Sequence, residues 1–186
     1  MFIQTEETPN PESLKFLPGV TISEIPLNFL EISQATNSPL AQKLFSLPSV
    51  KSIFLGYDFI TITKHKDDKW DFIKAEILVA IMDFLISGQQ IVDNPATAAE
   101  AKANNNPDED KIIKEIREII ETRVRPSVMQ DGGDIVFHDF KDGVVRLELH
   151  GACSGCPSST ITLKNGIENM LKYYVPEVIS VEAIEA

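Results

Sequence analysis

The chain has 186 residues, 43% of them apolar, and sets 17 Lys and Arg against 28 Asp and Glu for a net charge of -11. That length suits two small domains, no apolar run approaches the roughly 20 residues that cross a bilayer, and an acidic surface repels phosphate backbones, so neither membrane nor nucleic acid is an expected partner. The opening "MFIQTEETPNPES" shows no leader pattern, which predicts a cytoplasmic (bacterial) protein, or one of the mitochondrial matrix if the chain is processed.

In chain order, "SPLAQKLFSL" predicts a short helix with Ser38 as cap and Pro39 in its first position. "VKSIFLGYDFITITK" predicts a hairpin turning at Gly56. Trp70, Ile73, Ile77, Ile81 and Phe84 then recur at three- and four-residue steps, the pattern of a helix with one apolar stripe that Gly88 terminates. Such a stripe is read as core.

Large apolar residues vanish over "VDNPATAAEAKANNNPDED", too polar to fold alone and read as a flexible linker. Beyond it, Asn106 and Pro107 open a helix whose first turn holds Asp108, Glu109 and Asp110, acids that suit the positive end of the helix dipole. Ile113, Ile116, Ile120 and Val124 share one face, Arg123 and Arg125 suit the last turn, and Pro126 is expected to stop the helix. "DGGDIVFHDFKDGVVRLELHG" reads as a Gly-rich turn and a hairpin. In its second strand Val145, Leu147 and Leu149 alternate with Arg146, Glu148 and His150. Thr160, Leu163, Ile167, Leu171 and Tyr174 mark another helix and "EVISVEAI" a closing strand. The expected fold class is therefore two small α+β domains joined by a flexible linker, the second running α-β-β-(CxxC)-α-β.

Both cysteines lie in "GACSGCPSST", between a strand end and a helix start. Free N-H groups and the dipole there are expected to lower the thiol pKa, and Gly151 and Gly155 let the loop wrap closely around a ligand. Metal or cluster binding, dithiol-disulfide exchange and a merely structural role all use this spacing. Too little chain follows the last helix to complete a thioredoxin-like fold, and no aromatic residue precedes Cys153, so metal is favoured. Structural zinc and iron-sulfur clusters take four ligands, whereas this chain has two cysteines. The missing pair is expected from a second copy across a two-fold axis, giving a homodimer that shares one four-iron cluster through Cys153 and Cys156 of each subunit. His150 and His138 are the nearest imidazoles. His150 could serve as a third ligand, but its alternation puts it on the wet face of the strand. His65, among lysines and aspartates, is a poorer candidate still, while Met129 and Met170 are read as packing residues.

"RPSVMQDGGDI", "GACSGCPSSTITLKNGIENML" and "VPEV" resemble the C-terminal domain of NifU, the Nfu domain, over nearly all of Lys111 to Ala186. "MFIQTEETPNPESLKFLPG" and the chain to about Gly88 resemble the N-terminal domain of Nfu-type scaffold proteins. By this resemblance residues 1–91 form the Nfu N-terminal-type domain, 92–107 the linker and 108–186 the NifU-like domain. The resemblance implies a non-enzymatic iron-sulfur cluster scaffold and carrier. It would hold a [4Fe-4S] cluster, with [2Fe-2S] the alternative, between two subunits on Cys153 and Cys156, and pass it from upstream donors to apo-proteins. Asp131, Gly132, Gly133 and Asp134 match the family's turn and are read as backbone geometry alone. The three-cysteine scaffold domain and the ferredoxin-like domain of complete NifU have no counterpart here, which favours late carriage over assembly from a cysteine desulfurase. A dithiol oxidoreductase and a zinc-bridged interaction module are the alternatives.

Overall fold

The structure, a computed structural model, describes residues 2–93, 111–154 and 157–184, and the chain divides into two units, Met1–Ala103 and Asn104–Ala186. The linker expected over 92–107 and the helix start at Asn106 fall almost entirely outside the described residues.

In the first unit β4 (Val50–Leu55) and β5 (Ile60–Lys64) form the expected antiparallel hairpin. Glycine is required at its turn, because a Cβ on Gly56 would stand 2.4 Å from the Phe59 ring. The hairpin is the middle of a five-stranded antiparallel sheet, order β1-β2-β5-β4-β3, completed by β1 (Gln4–Glu7), β2 (Ser13–Leu17) and β3 (Leu27–Phe29). Helices α1 (Pro39–Phe45) and α2 (Trp70–Ile86) cover one face. Ser38 caps α1 as expected, accepting from the Ala41 amide at 3.3 Å and donating to the Ile91 carbonyl at 2.8 Å. Ile73, Ile77, Ile81 and Phe84 are buried against Phe16, Ile53, Ile60 and Ile62, so the stripe is core, and Gly88 leaves the helix at a φ of 69°.

In the second unit β6 (Gly133–Lys141) and β7 (Val144–Gly151) pair antiparallel, and β8 (Ser180–Ile184) lies parallel to β7 at the sheet edge. A parallel neighbour demands a crossover, which is α5 (Pro157–Tyr174). Asp142 and Gly143, at φ of 52° and 80°, give the hairpin both positive-φ residues of a tight turn. Ile116, Ile120, Val124 and Val128 from the preceding helices and Ile167 and Leu171 from α5 bury one sheet face, made by Ile135, Val145, Leu147, Leu149 and Val181. The opposite face carries Arg146, Glu148 and His150, so the alternation expected along β7 holds. Tyr174 is 39% exposed and packs edge-on against Tyr173, outside the core.

Pro126 does not stop its helix. α3 (Lys111–Ile119) widens into a π-turn at Ile120–Val124 and continues as α4 (Arg125–Gln130), with Pro126 inside its first turn. A proline has no N-H to donate and its ring crowds the carbonyl four residues back. The π-turn relieves both demands by letting the Arg125 amide bond Ile120 instead, while Thr122 Oγ1 donates to the Glu118 carbonyl at 2.7 Å. Nor do the two arginines serve as dipole caps. Arg123 lies 4.6 Å from the Tyr174 ring centre, and Arg125 grips Asp134 with Nε at 2.8 Å from Oδ1 and Nη2 at 3.0 Å from Oδ2.

Asp134 is fully buried and also accepts from the Ile135 amide at 2.8 Å. Burial opposes the charge on Arg125, yet its hydrogen bonds to Asp134 and Glu121 and their charges outweigh that and hold the guanidinium above its ordinary pKa. Removing one member of a buried pair strands the other. Arg125→Leu should therefore cost about 3 kcal/mol in urea unfolding of the second unit, and a loss under 1 kcal/mol would mean that Asp134 finds water or another donor.

Candidate functional site

The site is built where β6 begins and β7 ends. Gly133 and Gly151 form the last rung of the hairpin, and the Ala152 amide donates to the Gly132 carbonyl at 3.2 Å. The Asp131–Asp134 turn and the cysteine loop are thus stitched back to back. Gly132 and Gly151 both hold positive φ, 82° and 64°, a backbone region costly for other residues. Beyond Gly151 the loop tightens, with the Ser154 amide on the Gly151 carbonyl at 3.1 Å, and α5 starts at Pro157. Cys156 lies outside the described residues.

Cys153 points into this junction and is 4% exposed. A Cβ placed on Gly133 would sit 2.8 Å from its Sγ and 2.6 Å from the His150 carbonyl oxygen. Gly133 is therefore the floor of the sulfur site, and the Asp-Gly-Gly-Asp turn does more than set backbone angles. Sequence reasoning missed this because the contact joins positions twenty residues apart. The turn and the loop each looked sufficient as local geometry.

The expected lowering of the thiol pKa is also overturned for Cys153. Burial, and then the charges of Asp131 and Asp134, push it up to about 12. The reason is geometric: Sγ faces the turn, and removal from water penalises the thiolate more than the nearby helix start favours it. A dithiol exchanger needs an accessible thiol with a pKa near ambient pH, which Cys153 is not. A metal site asks only that the proton be displaced when metal arrives.

The histidines are elsewhere engaged. His150 Nε2 and His138 Nε2 meet the two carboxylate oxygens of Glu148 at 2.5 and 2.6 Å on the open sheet face. Burial opposes the Glu148 charge, but these two histidines hold its pKa below the usual carboxylate value. His65 follows β5 in the first unit. Among the described residues no group of three or more His, Cys, Asp or Glu is arranged to hold a metal ion. Met170 packs against the core as expected. No described helix is long and apolar enough to cross a membrane.

Two measurements test this geometry. In a Cys156→Ser protein, loss of about three decades of thiolate at pH 8, partly offset by the stronger nucleophile, should make folded Cys153 at least ~30-fold slower towards iodoacetamide than the same thiol in urea. Its rate should keep rising beyond pH 9, where the unfolded thiol levels off. Because the folded thiol holds its proton longer, its contribution to stability is present below pH 9 and lost as pH rises towards 12. Equal folded and unfolded rates would refute the buried thiol. Separately, Gly133→Ala must displace Sγ or a strand carbonyl, and should destabilise the second unit by about 1–3 kcal/mol while speeding alkylation. An unchanged urea midpoint would mean that the floor can yield.

A family profile described as "NifU-like domain" matches residues 116–182, and one described as "Scaffold protein Nfu/NifU N terminal" matches residues 3–88. The chain is 47% identical over 186 residues to the Homo sapiens protein named NFU1 iron-sulfur cluster scaffold homolog, mitochondrial, covering 99% of this chain and 72% of that one. It is 48% identical to the protein of the same name in Drosophila willistoni, covering 99% of this chain and 64% of that one. Among solved structures, the solution structure of a NifU-like protein from Saccharomyces cerevisiae is 30% identical, with a TM-score of 0.45, over 50% of this chain and 84% of that one.

Proposed function

We propose a cluster-carrying role for this chain, which belongs to the Nfu family of iron-sulfur cluster scaffold proteins. Its cargo is a [4Fe-4S] cluster held between two copies, each contributing Cys153 and Cys156, and delivered to apo-proteins. The observation that supports it most directly is the half-set of donors. One sulfur, Cys153, lies in a glycine-floored junction, the chain has two cysteines in all, and the histidines nearest the loop are bound to Glu148. A four-ligand cargo must then draw its other ligands from a second copy.

The chemistry of this chain is proton exchange at sulfur. Loading removes a proton from Cys153, and the thiolate becomes an iron ligand. On delivery a client thiolate takes its place, the iron-sulfur bond to Cys153 breaks, and the sulfur recovers a proton. Burial raises the Cys153 pKa in the closed site, which favours this return of the proton once the iron has left. The relatives are named as mitochondrial proteins, and we assign this chain to the mitochondrial matrix in place of the bacterial cytosol that its opening residues suggested. The chain spans about two thirds of the length of several of these relatives, and its clients are proposed as apo iron-sulfur proteins in general.

Anaerobic reconstitution with iron and sulfide tests the reading. One cluster per two chains is expected, together with a cluster-dependent doubling of mass in sedimentation and recovery of activity by an apo [4Fe-4S] enzyme. Cys153→Ser and Cys156→Ser should each lose cluster and dimer together. A colourless protein that catalytically reduces a disulfide would establish the oxidoreductase instead. Stoichiometric zinc with no iron uptake would establish the zinc-bridged module, and a full cluster on a monomer would reveal ligands from elsewhere.

A further inference from the structure

Besides its core stripe, α2 carries a second apolar line. Phe72, Val79 and Ile86 are 78%, 55% and 68% exposed. Spaced seven residues apart, they fall on one track along the helix, opposite the buried Ile77 and Ile81. Partly buried Leu78, Met82 and Leu85 carry the apolar surface from this track round to the core. On the other flank stand exposed Glu76 and Asp83, each four residues after a member of the track. Lys74 lies about 140° round the helix from the centre of the track and is half-buried, and exposed Lys69 stands just ahead of the first turn. Within the body of the helix the exposed charges on that flank are therefore the carboxylates of Glu76 and Asp83.

A helix apolar on opposite faces is normally covered on both. A seven-residue repeat is the seam that a second helix reads, since two packed helices meet every 3.5 residues. A second copy of this chain would set Glu76 and Asp83 against the same carboxylates, whereas an apolar helix edged with Lys or Arg meets both the seam and the charge. We propose that this face of α2 docks a basic amphipathic helix of a partner protein. The surface is distinct from the cysteine loop and involves no cluster.

The test uses the full chain without iron and a fluorescent helical peptide of about 20 residues with Leu on a seven-residue repeat and Lys on both flanks. A twin peptide has Glu in place of Lys. The Lys peptide should bind saturably at low salt and the Glu peptide should not. Val79→Glu, at an exposed position, should leave the thermal midpoint unchanged and weaken the Lys peptide by at least ~10-fold. The double variant Glu76→Lys with Asp83→Lys should exchange the preference of the two peptides. The proposal is overturned if the peptides bind alike, if Val79→Glu binds as well as the parent, or if no binding is measurable. It is likewise overturned if sedimentation shows the iron-free chain pairing with itself in a way that Val79→Glu abolishes, since the face would then belong to a second copy.

Discussion

The second unit depends on the backbone of Gly133 passing within van der Waals distance of the Cys153 sulfur. That approach fixes the last rung of the β6–β7 hairpin against Gly151, brings the Ala152 amide onto the Gly132 carbonyl and turns the loop so that α5 can leave from Pro157. The crossover returns to the free edge of β7, where β8 pairs parallel to it. A side chain of any size at Gly133 would have to part these two segments. Arg125 secures the turn from its other end through Asp134. The π-turn in front of α4 adds a residue to the helical register just before Arg125, which lets Pro126 stay within the helix. A proline and a buried carboxylate that look like separate features are thus parts of one support under the sulfur.

The same support decides the electrostatics. A cysteine at a helix start is ordinarily made acidic by unpaired amides, but those amides act on a sulfur only when it faces them. Cys153 faces the turn, itself buried and near the carboxylates of Asp131 and Asp134, and its thiol is favoured over its thiolate. The direction of that shift bears differently on two chemistries that share a motif. Exchange with disulfides improves as the thiol becomes accessible and its pKa approaches that of the medium. Temporary ligation tolerates a reluctant thiol, and the reluctance helps when the metal must leave.

Much of this architecture was legible in sequence because it rests on local rules. Ser38 and Pro39 mark α1 by capping chemistry, the alternation from Val145 to His150 gives the two faces of β7, and the three- and four-residue steps from Ile73 to Phe84 give the buried side of α2. Other features were not legible, each for its own physical reason. Strands β1 to β3 are short and set among Pro9, Pro11, Pro18 and Pro26, so their identity comes from pairing with a sheet rather than from their own pattern. The widened turn before Pro126 is a compromise between a helix breaker and tertiary contacts on both sides of it, and propensity alone names only the breaker. The pKa of Cys153 depends on which way one side chain points, which follows from Gly133, twenty residues earlier. Of the two cysteines that mark the site, the described residues place Cys153.

The outward track of α2 was hidden for yet another reason. Phe72, Val79 and Ile86 sit among so many apolar residues that the helix reads as simply hydrophobic, and only the burial of one side reveals that the other is uncovered. Such a surface costs solubility, and the two carboxylates on its flank, Glu76 and Asp83, help to keep it hydrated. Both cysteines lie in the other unit, so the docking proposed at α2 and the ligation proposed at Cys153 fall to separate units of one chain. Whatever path residues 94–110 take, a partner held at the first unit is covalently kept near the second. That converts ligand exchange from a chance encounter into an effectively intramolecular step, with a local concentration set by the connection rather than by the bulk.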